Sequence, residues 1–327
     1  MKVAILGAGS IARSMCRTIL GMKAQGRPVE LYAIASRDIE KAIRFAREQG
    51  VKRAYGSYEE LLQDPAVELV YIATPHSRHY EDMKLCVTAG KPVLCEKAFT
   101  MNSAQAKEIK ALAAEKGVYV VEAIWTRYMP SRQLINETLA SGIIGKVCTL
   151  TANLSYTISG NYRIVAPELA GGALLDVGVY GINFVLMHFG EEIERMESSV
   201  QMTDTGVDGM ESITLYFKDG RMAVLTHGIY GRSDRKGIFY GNEGYMVVEN
   251  INNPQSISVY DQGDNLVKFI AVPEQITGYE YQFEEAARCI AAGKIESESM
   301  PLADSVTVME VMDRLRAQWG LVYPQEK

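Results

Sequence analysis

The apolar run Val3-Ala4-Ile5-Leu6 ends in Gly7-Ala8-Gly9-Ser10-Ile11-Ala12, and a helical pattern follows from about Ile11 to Met22. A strand that turns through Gly-x-Gly-x-x-Ala straight into a helix constrains this chain more than any other stretch, because each small residue has a mechanical task. Gly7 permits the tight turn, Gly9 lets the backbone approach a pyrophosphate, and Ala12 keeps the helix close to its strand. The amides of the first helical turn, at Ser10 and Ile11, then face an anion. The competing reading is a strand–helix turn with no ligand; the surrounding strand–helix–strand pattern favours a dinucleotide.

That pattern continues. Apolar runs at Leu31–Ser36, Tyr55-Gly56, Leu69–Thr74, Pro92–Glu96 and Val118–Ala123 alternate with helical stretches at Ile39–Gln49, Tyr58–Leu62, Ser77–Thr88 and Ser103–Lys116. Ser57 is placed to cap one helix, and Gly90 and Gly117 to stop two others. The runs are apolar on both faces, as in a parallel sheet covered on both sides. Alternation of this kind predicts an α/β Rossmann domain, a doubly wound parallel sheet. After about Trp125 the pattern changes. A strand over Thr149–Tyr156, a long apolar helix over Ala173–Phe189, and close-set strands from Arg195 to Ala271 predict an α+β domain with a large, mostly antiparallel open sheet. With 327 residues and roughly 100–200 residues per domain, two domains are expected. They are residues 1–123, binding NAD(P), and residues 124–327, the α+β domain.

Composition narrows the partners. The formal charge is −6, from 34 basic and 40 acidic residues. That is too mild to argue for nucleic acid or an anionic membrane surface. No apolar stretch long enough to span a membrane is expected. The N-terminal run is too short for a signal peptide. Five scattered cysteines without a CxxC make a disulfide framework or zinc site improbable and point to a reducing, cytoplasmic setting. No metal site is expected.

The residues closing the second strand choose the cofactor. An NAD site commonly places an acid there. This chain has Ser36-Arg37-Asp38, with Lys41 one helical turn on. A cationic fork, a small hydroxyl and a second cation suit a 2′-phosphate, so NADP is expected, with NAD as the alternative. Ala73-Thr74-Pro75-His76, with His79, follows the fourth strand on the side where ligands lie in open α/β sheets. Thr74 and Pro75 are expected to line the cofactor; His76 and His79 serve either the cofactor or helix-start packing.

These motifs carry a family resemblance. Gly7-Ala8-Gly9-Ser10-Ile11-Ala12, Ala73-Thr74-Pro75-His76-x-x-His79, Glu96-Lys97 and Gly171-Gly172-Ala173-Leu174-Leu175-Asp176-Val177-Gly178-Val179-Tyr180 resemble the Gfo/Idh/MocA superfamily, named for glucose–fructose oxidoreductase and inositol dehydrogenase. Glu122-Ala123-Ile124-Trp125-Thr126-Arg127-Tyr128-Met129-Pro130, with Tyr180, is similar to its dimeric dihydrodiol dehydrogenase and NADP-dependent xylose dehydrogenase branch. The resemblance implies reversible hydride transfer between the nicotinamide and a secondary alcohol or ketone of a sugar or cyclic diol. It also implies a homodimer or higher oligomer formed through the C-terminal sheet.

The resemblance makes Lys97 catalytic, oriented or charge-balanced by Glu96, and Tyr180 the acid/base. On the residues' own terms, alcohol oxidation needs an acceptor for the hydroxyl proton, and a lysine can stabilise charge on the reacting oxygen. Asp176 and Tyr180 are four apart and share a helix face, so Asp176 is expected to position the substrate or Lys97. A phenol near pKa 10 needs a nearby cation to act at neutral pH. One departure is Ala98, where the family pattern has proline and often a cis bond. A cis bond before a non-proline residue costs about 3 kcal/mol, so a trans Lys97–Ala98 bond is expected.

Trp125 is a candidate to stack on a sugar or aromatic ring. Arg127 is a candidate to anchor a substrate oxygen, or to pair structurally with Glu122 or Asp176. Tyr162, Arg163 and, more weakly, Tyr156 are further substrate candidates. Two other readings stay open: a bound-cofactor glycosidase or epimerase, and a non-catalytic NADP-binding redox sensor.

Overall fold

Six strands pair in parallel in the order Arg53–Tyr55, Glu30–Ala35, Lys2–Leu6, Leu69–Ile72, Val93–Glu96 and Val120–Ala123. The computed structural model describes residues 1–327. Along the chain these elements are β1 (Lys2–Leu6), α1 (Ser10–Ala24), β2 (Glu30–Ala35), α2 (Ile39–Gln49), β3 (Arg53–Tyr55), α3 (Tyr58–Leu62), β4 (Leu69–Ile72), α4 (His76–Thr88), β5 (Val93–Glu96), α5 (Ser103–Lys116) and β6 (Val120–Ala123). The order reverses at β1, whose two neighbours are β2 and β4, and that switch point opens a crevice beyond the carboxyl ends of the strands. β4, β5 and β6 are buried along their whole length, and apart from Glu96 and Glu122 their residues are apolar or aromatic. Local chemistry sets the helix ends. Asp38, Ser57 and Asn102 accept from Lys41 N, Glu60 N and Gln105 N, and Gly50 and Gly117 close α2 and α5 in the left-handed conformation.

The remaining elements are α6 (Pro130–Ala140), β7 (Val147–Ser155), α7 (Tyr162–Val165), α8 (Val179–Phe189), β8 (Ile193–Met202), β9 (Asp208–Phe217), β10 (Met222–Gly228), β11 (Gly237–Gly241), β12 (Gly244–Val248), β13 (Ser256–Asp261), β14 (Leu266–Ala271), α9 (Glu280–Ala291) and α10 (Leu302–Trp319). The eight strands form one sheet, β14-β13-β12-β11-β7-β10-β9-β8, antiparallel except where β10 pairs with β7. One face is apolar and closed. Leu150, Leu154, Leu225, Phe239 and Met246 are fully buried on it, and Phe184 and Phe189 of α8 pack on Phe239 and Phe217. The other face shows Thr149, Thr151, Val224, Thr214 and Tyr216, with a tyrosine ladder from Tyr240 through Tyr245 to Tyr260. Alternation of this kind is expected of a sheet with only one face in the core.

The structure differs from the sequence expectation in three places. The chain divides into one unit of Met1–Tyr128 with Gln275–Met309 and another of Met129–Glu274 with Glu310–Lys327, rather than breaking once after residue 123. Residues 275–309 return because α9 gives its apolar face to the first sheet: Phe283 is fully buried against Tyr71, and Val120 N donates to Ile295 O. The single helix expected over Ala173–Phe189 begins instead with a wide π-type turn, Leu174–Gly178, before α8. Finally, the segment 167–189 is long and apolar enough to cross a membrane, contrary to expectation. In its most apolar window 94% is buried, so it serves as a core helix.

Candidate active site

In the first unit the predicted cofactor residues gather at the carboxyl ends of β1, β2, β4 and β5. Gly7 takes φ +97°, and a Cβ there would lie 2.9 Å from Ala73 O, so the first turn passes directly over the end of β4. A Cβ at Gly9 would meet nothing within 4 Å. Gly9 is therefore not needed for packing; its bare backbone leaves room for a ligand at the start of α1. No side chain caps α1, so the amides of Ser10 and Ile11 keep their capacity for an anion. These features fit a dinucleotide pyrophosphate.

At the end of β2, Ser36 is buried and its Oγ accepts from Asp38 N at 3.4 Å. The Asp38 carboxylate caps α2, accepting from Lys41 N at 3.1 Å. Arg37 and Lys41 are exposed, and neither forms an ion pair. Asp38, the acid next to Arg37, is thus committed to the helix cap, while Arg37 and Lys41 stay exposed.

After β4, Thr74 Oγ1 donates to Asp82 at 2.7 Å, and Arg78 holds the other oxygen of that carboxylate at 3.1 Å. Pro75 precedes α4, whose first residue, His76, is buried and meets His79 edge to face. The fully buried His79 is bonded through Nδ1 to Ala98 O at 2.8 Å and through Nε2 to Thr74 O at 2.9 Å. It ties the loop after β4 to the loop after β5. Burial pushes this imidazole below its ordinary range, against the two carbonyls that favour a proton.

The Lys97–Ala98 peptide is cis, correcting the expectation of a trans bond. The physical reason lies in what surrounds it. Ala98 is fully buried, its carbonyl is held by His79, and the next amide, Phe99 N, donates to Glu122 Oε1 at 3.2 Å. These contacts over-determine the loop. Glu96 is buried; it accepts from the Tyr71 hydroxyl and, at 3.2 Å, from Lys97 N.

Trp125 and Arg127 are both buried. The Trp125 ring stacks on Tyr279, centroids 4.1 Å apart, so one of its faces is filled by the protein itself. Arg127 pairs with Asp304. Its charge also acts on buried Glu122, whose carboxyl burial pushes up to about 7, opposed by Ser305, Arg127 and the Phe99 amide. The ion pair of Arg127 is therefore with Asp304, a partner the sequence did not suggest; Glu122 feels only its charge, and Asp176 pairs with Arg163.

In the second unit Asp176 lies in the π-type turn and Tyr180 in the first turn of α8, both 7% exposed. Arg163 Nη2 donates to Asp176 Oδ1 at 3.0 Å, which brings two predicted residues together. Tyr162 is not drawn in: it is 68% exposed and donates to Glu168. Tyr156 accepts from Asn252 Nδ2. The sequence reading missed Tyr71, Tyr279 and Asp304, along with a buried cluster of Asp208, Glu211 and His227. A polar residue at an inward-facing strand position was the available signal for Glu211 and His227.

Comparison with known proteins decides the family. Residues 1–123 match the oxidoreductase family with an NAD-binding Rossmann fold, and residues 133–247 match the GFO/IDH/MocA C-terminal domain. The chain is 35% identical to a trans-1,2-dihydrobenzene-1,2-diol dehydrogenase of Danio rerio, covering 98% of both chains. This chain belongs to the Gfo/Idh/MocA family. It is also 33% identical to a D-xylose 1-dehydrogenase (NADP(+)) of Hypocrea jecorina, over 99% of this chain and 93% of that one. Among solved structures, a 3-ketoreductase from Actinomadura kijaniata in complex with NADP and TDP-benzene superposes with a TM-score of 0.86 at 25% identity, covering 97% of each chain. As a member of this family the chain is an NAD(P)-dependent dehydrogenase or reductase.

Proposed function

We propose that this protein moves a hydride between NADP and a secondary alcohol or ketone of a sugar or cyclic diol. What carries the reading is Tyr180, one helical step from Asp176, in a chain that matches dehydrogenases of a diol and of an aldose over nearly its whole length. NADP, when bound, accepts or returns the hydride. Gly7, Gly9, Ser10 and Ile11 hold its pyrophosphate, Arg37, Lys41 and Ser36 its 2′-phosphate, and the segment Ala73–His76, braced by His79, lines it.

In the oxidising direction the carbinol C–H bond would break with its electron pair passing as hydride to the oxidised nicotinamide, the O–H proton would pass to the oxygen of a deprotonated Tyr180, and a carbonyl would form. Lys97 donates a hydrogen bond to the reacting oxygen and stabilises its developing charge, with Glu96 steadying the lysine. Asp176, itself held by Arg163, orients the substrate. The open face of the large sheet, with its tyrosine ladder, supports a homodimer built on that face. Five unpaired cysteines support a cytoplasmic setting.

The test is a panel of aldoses, trans-diols and dicarbonyls followed by NADPH absorbance, on the wild-type chain and on Tyr180→Phe and Lys97→Met. Turnover is expected only from the wild type, with NADPH affinity preserved in both variants. Turnover retained in both would remove the mechanism. Tightly copurifying cofactor without net turnover would favour the glycosidase or epimerase reading.

A further inference from the structure

Beneath the segment that carries Asp176 and Tyr180 lies a cluster with no role in the chemistry just described. Asp208 and Glu211 of β9 and His227 of β10 are nearly or fully buried. Glu211 and His227 sit opposite each other across the strand pair, and Glu211 Oε1 meets His227 Nδ1 at 2.9 Å. Asp208 Oδ2 accepts from Leu174 N at 2.5 Å, at the start of the π-type turn. Burial pushes Asp208 well above the carboxylate range, helped by neighbouring Glu211. Burial also pushes Glu211 up to about 8 and His227 down to about 3. Burial thus drives each of the three toward its uncharged form, the carboxyls keeping a proton and the imidazole giving one up. The other groups near it are Tyr323, whose hydroxyl donates to Gly171 O at 2.8 Å, and Arg316, which is paired with Asp313 and Glu326.

The segment above is shaped to this cluster residue by residue. A Cβ at Gly172 would lie 2.0 Å from Asp208 Oδ1, one at Gly178 2.3 Å from Glu211 Oε1, and one at Gly181 2.0 Å from His227 Nε2. Three glycines of the motif thus each seat one member of the cluster. A plain apolar core would not require a polar partner at each such contact, nor an aspartate from a neighbouring strand at the amide of Leu174.

We infer that Asp208, Glu211 and His227 are a positioning triad that holds the Gly171–Gly181 segment so that Asp176 and Tyr180 are set for reaction. The inference rests on the proposed roles of Asp176 and Tyr180. The three residues touch no reacting atom; they act through the segment they carry.

The test uses the full-length protein saturated with NADPH. Asp208→Ala removes the acceptor for the Leu174 amide, and Asp208→Asn retains one. Asp208→Ala is expected to speed amide hydrogen exchange over residues 174–180 by about tenfold or more, because that amide loses its partner. It should also lower kcat by about tenfold, with D-xylose or trans-1,2-dihydrobenzene-1,2-diol as probe, leaving NADPH affinity within about twofold. Asp208→Asn should recover most of both losses. A folded Asp208→Ala with wild-type exchange and kcat would overturn the inference. Tyr180→Phe, run alongside, tests the catalytic assignment separately: if it keeps turnover that assignment fails, and exchange still reports on the triad.

Should Asp208→Ala fail to fold, Gly181→Ala, His227→Ala and their double variant give an independent reading. The added methyl has room only when the imidazole is gone, so the double variant should exceed Gly181→Ala in kcat by about tenfold. Additive losses would overturn the inference.

Discussion

Replacing Arg37 by alanine should weaken NADPH far more than NADH. Arg37 is exposed, forms no ion pair, and follows a strand whose neighbouring acid, Asp38, is occupied in capping α2. Its removal strands no buried partner, so folding stability should change by no more than about 0.5 kcal/mol. A hydrogen bond to a charged group contributes about 1.5–3 kcal/mol. At an exposed site the lower end applies, and about 1.4 kcal/mol corresponds to a tenfold change in affinity. The expected loss for NADPH is therefore about tenfold, and for NADH less than about twofold. Lys41 retains a second charge, so Arg37→Ala with Lys41→Ala should approach about a hundredfold. Titrating the nucleotide's own fluorescence measures Kd directly and needs no substrate. The wild-type preference for NADPH should also narrow as salt is raised, because an exposed cation is screened. Equal losses for both nucleotides, or a change for NADPH below about threefold, would refute the reasoning.

Two other outcomes are expected. Gly9→Ala should melt like the wild type, since a Cβ there meets nothing within 4 Å, yet bind NADPH poorly. Gly7→Ala should instead lose about 1–3 kcal/mol of stability, from a strained φ of +97° and a close contact with Ala73 O. Parallel melting temperatures for the two variants would contradict this division. Glu122, with its pKa raised by burial from 4.5 to about 7, binds a proton more readily folded than unfolded. Stability should therefore fall as pH rises through that window, by up to about 3 kcal/mol. Glu122→Gln keeps an acceptor for Phe99 N and should flatten the dependence of melting temperature on pH. Glu211, raised to about 8, should leave a residual slope. Curves of wild type and variant that run parallel would refute the assignment.

Much of the first unit was legible because its signals are local. A turn glycine, a capping Asp38 or Ser57, and a run such as Leu69–Ile72 each act within a few residues. The expected cofactor residues Gly7, Ser36, Thr74 and Glu96 come to one side of the sheet for the same reason, as each closes or follows its own strand. The substrate candidates were less so. Trp125 and Arg127 have side chains suited to a ligand, but Tyr279 and Asp304 take one ring face and the guanidinium, and both lie more than a hundred residues downstream. The cis bond at Ala98 was hidden likewise, because the groups that hold its surroundings, His79 of α4 and Glu122 of β6, come from other elements of the chain.

By itself the sequence determined that a dinucleotide-binding parallel sheet is followed by a mostly antiparallel one, which residues close each strand, and that positive charge gathers at Arg37 and Lys41. Periodicity and turn chemistry are short-range, and a single chain displays them. Only the tertiary structure decided that residues 275–309 return to the first unit, that Arg163 holds Asp176, and that three motif glycines face Asp208, Glu211 and His227. A pattern of buried positions says that a side chain turns inward. It does not say what it meets there, because that partner is set by how distant strands and helices stack.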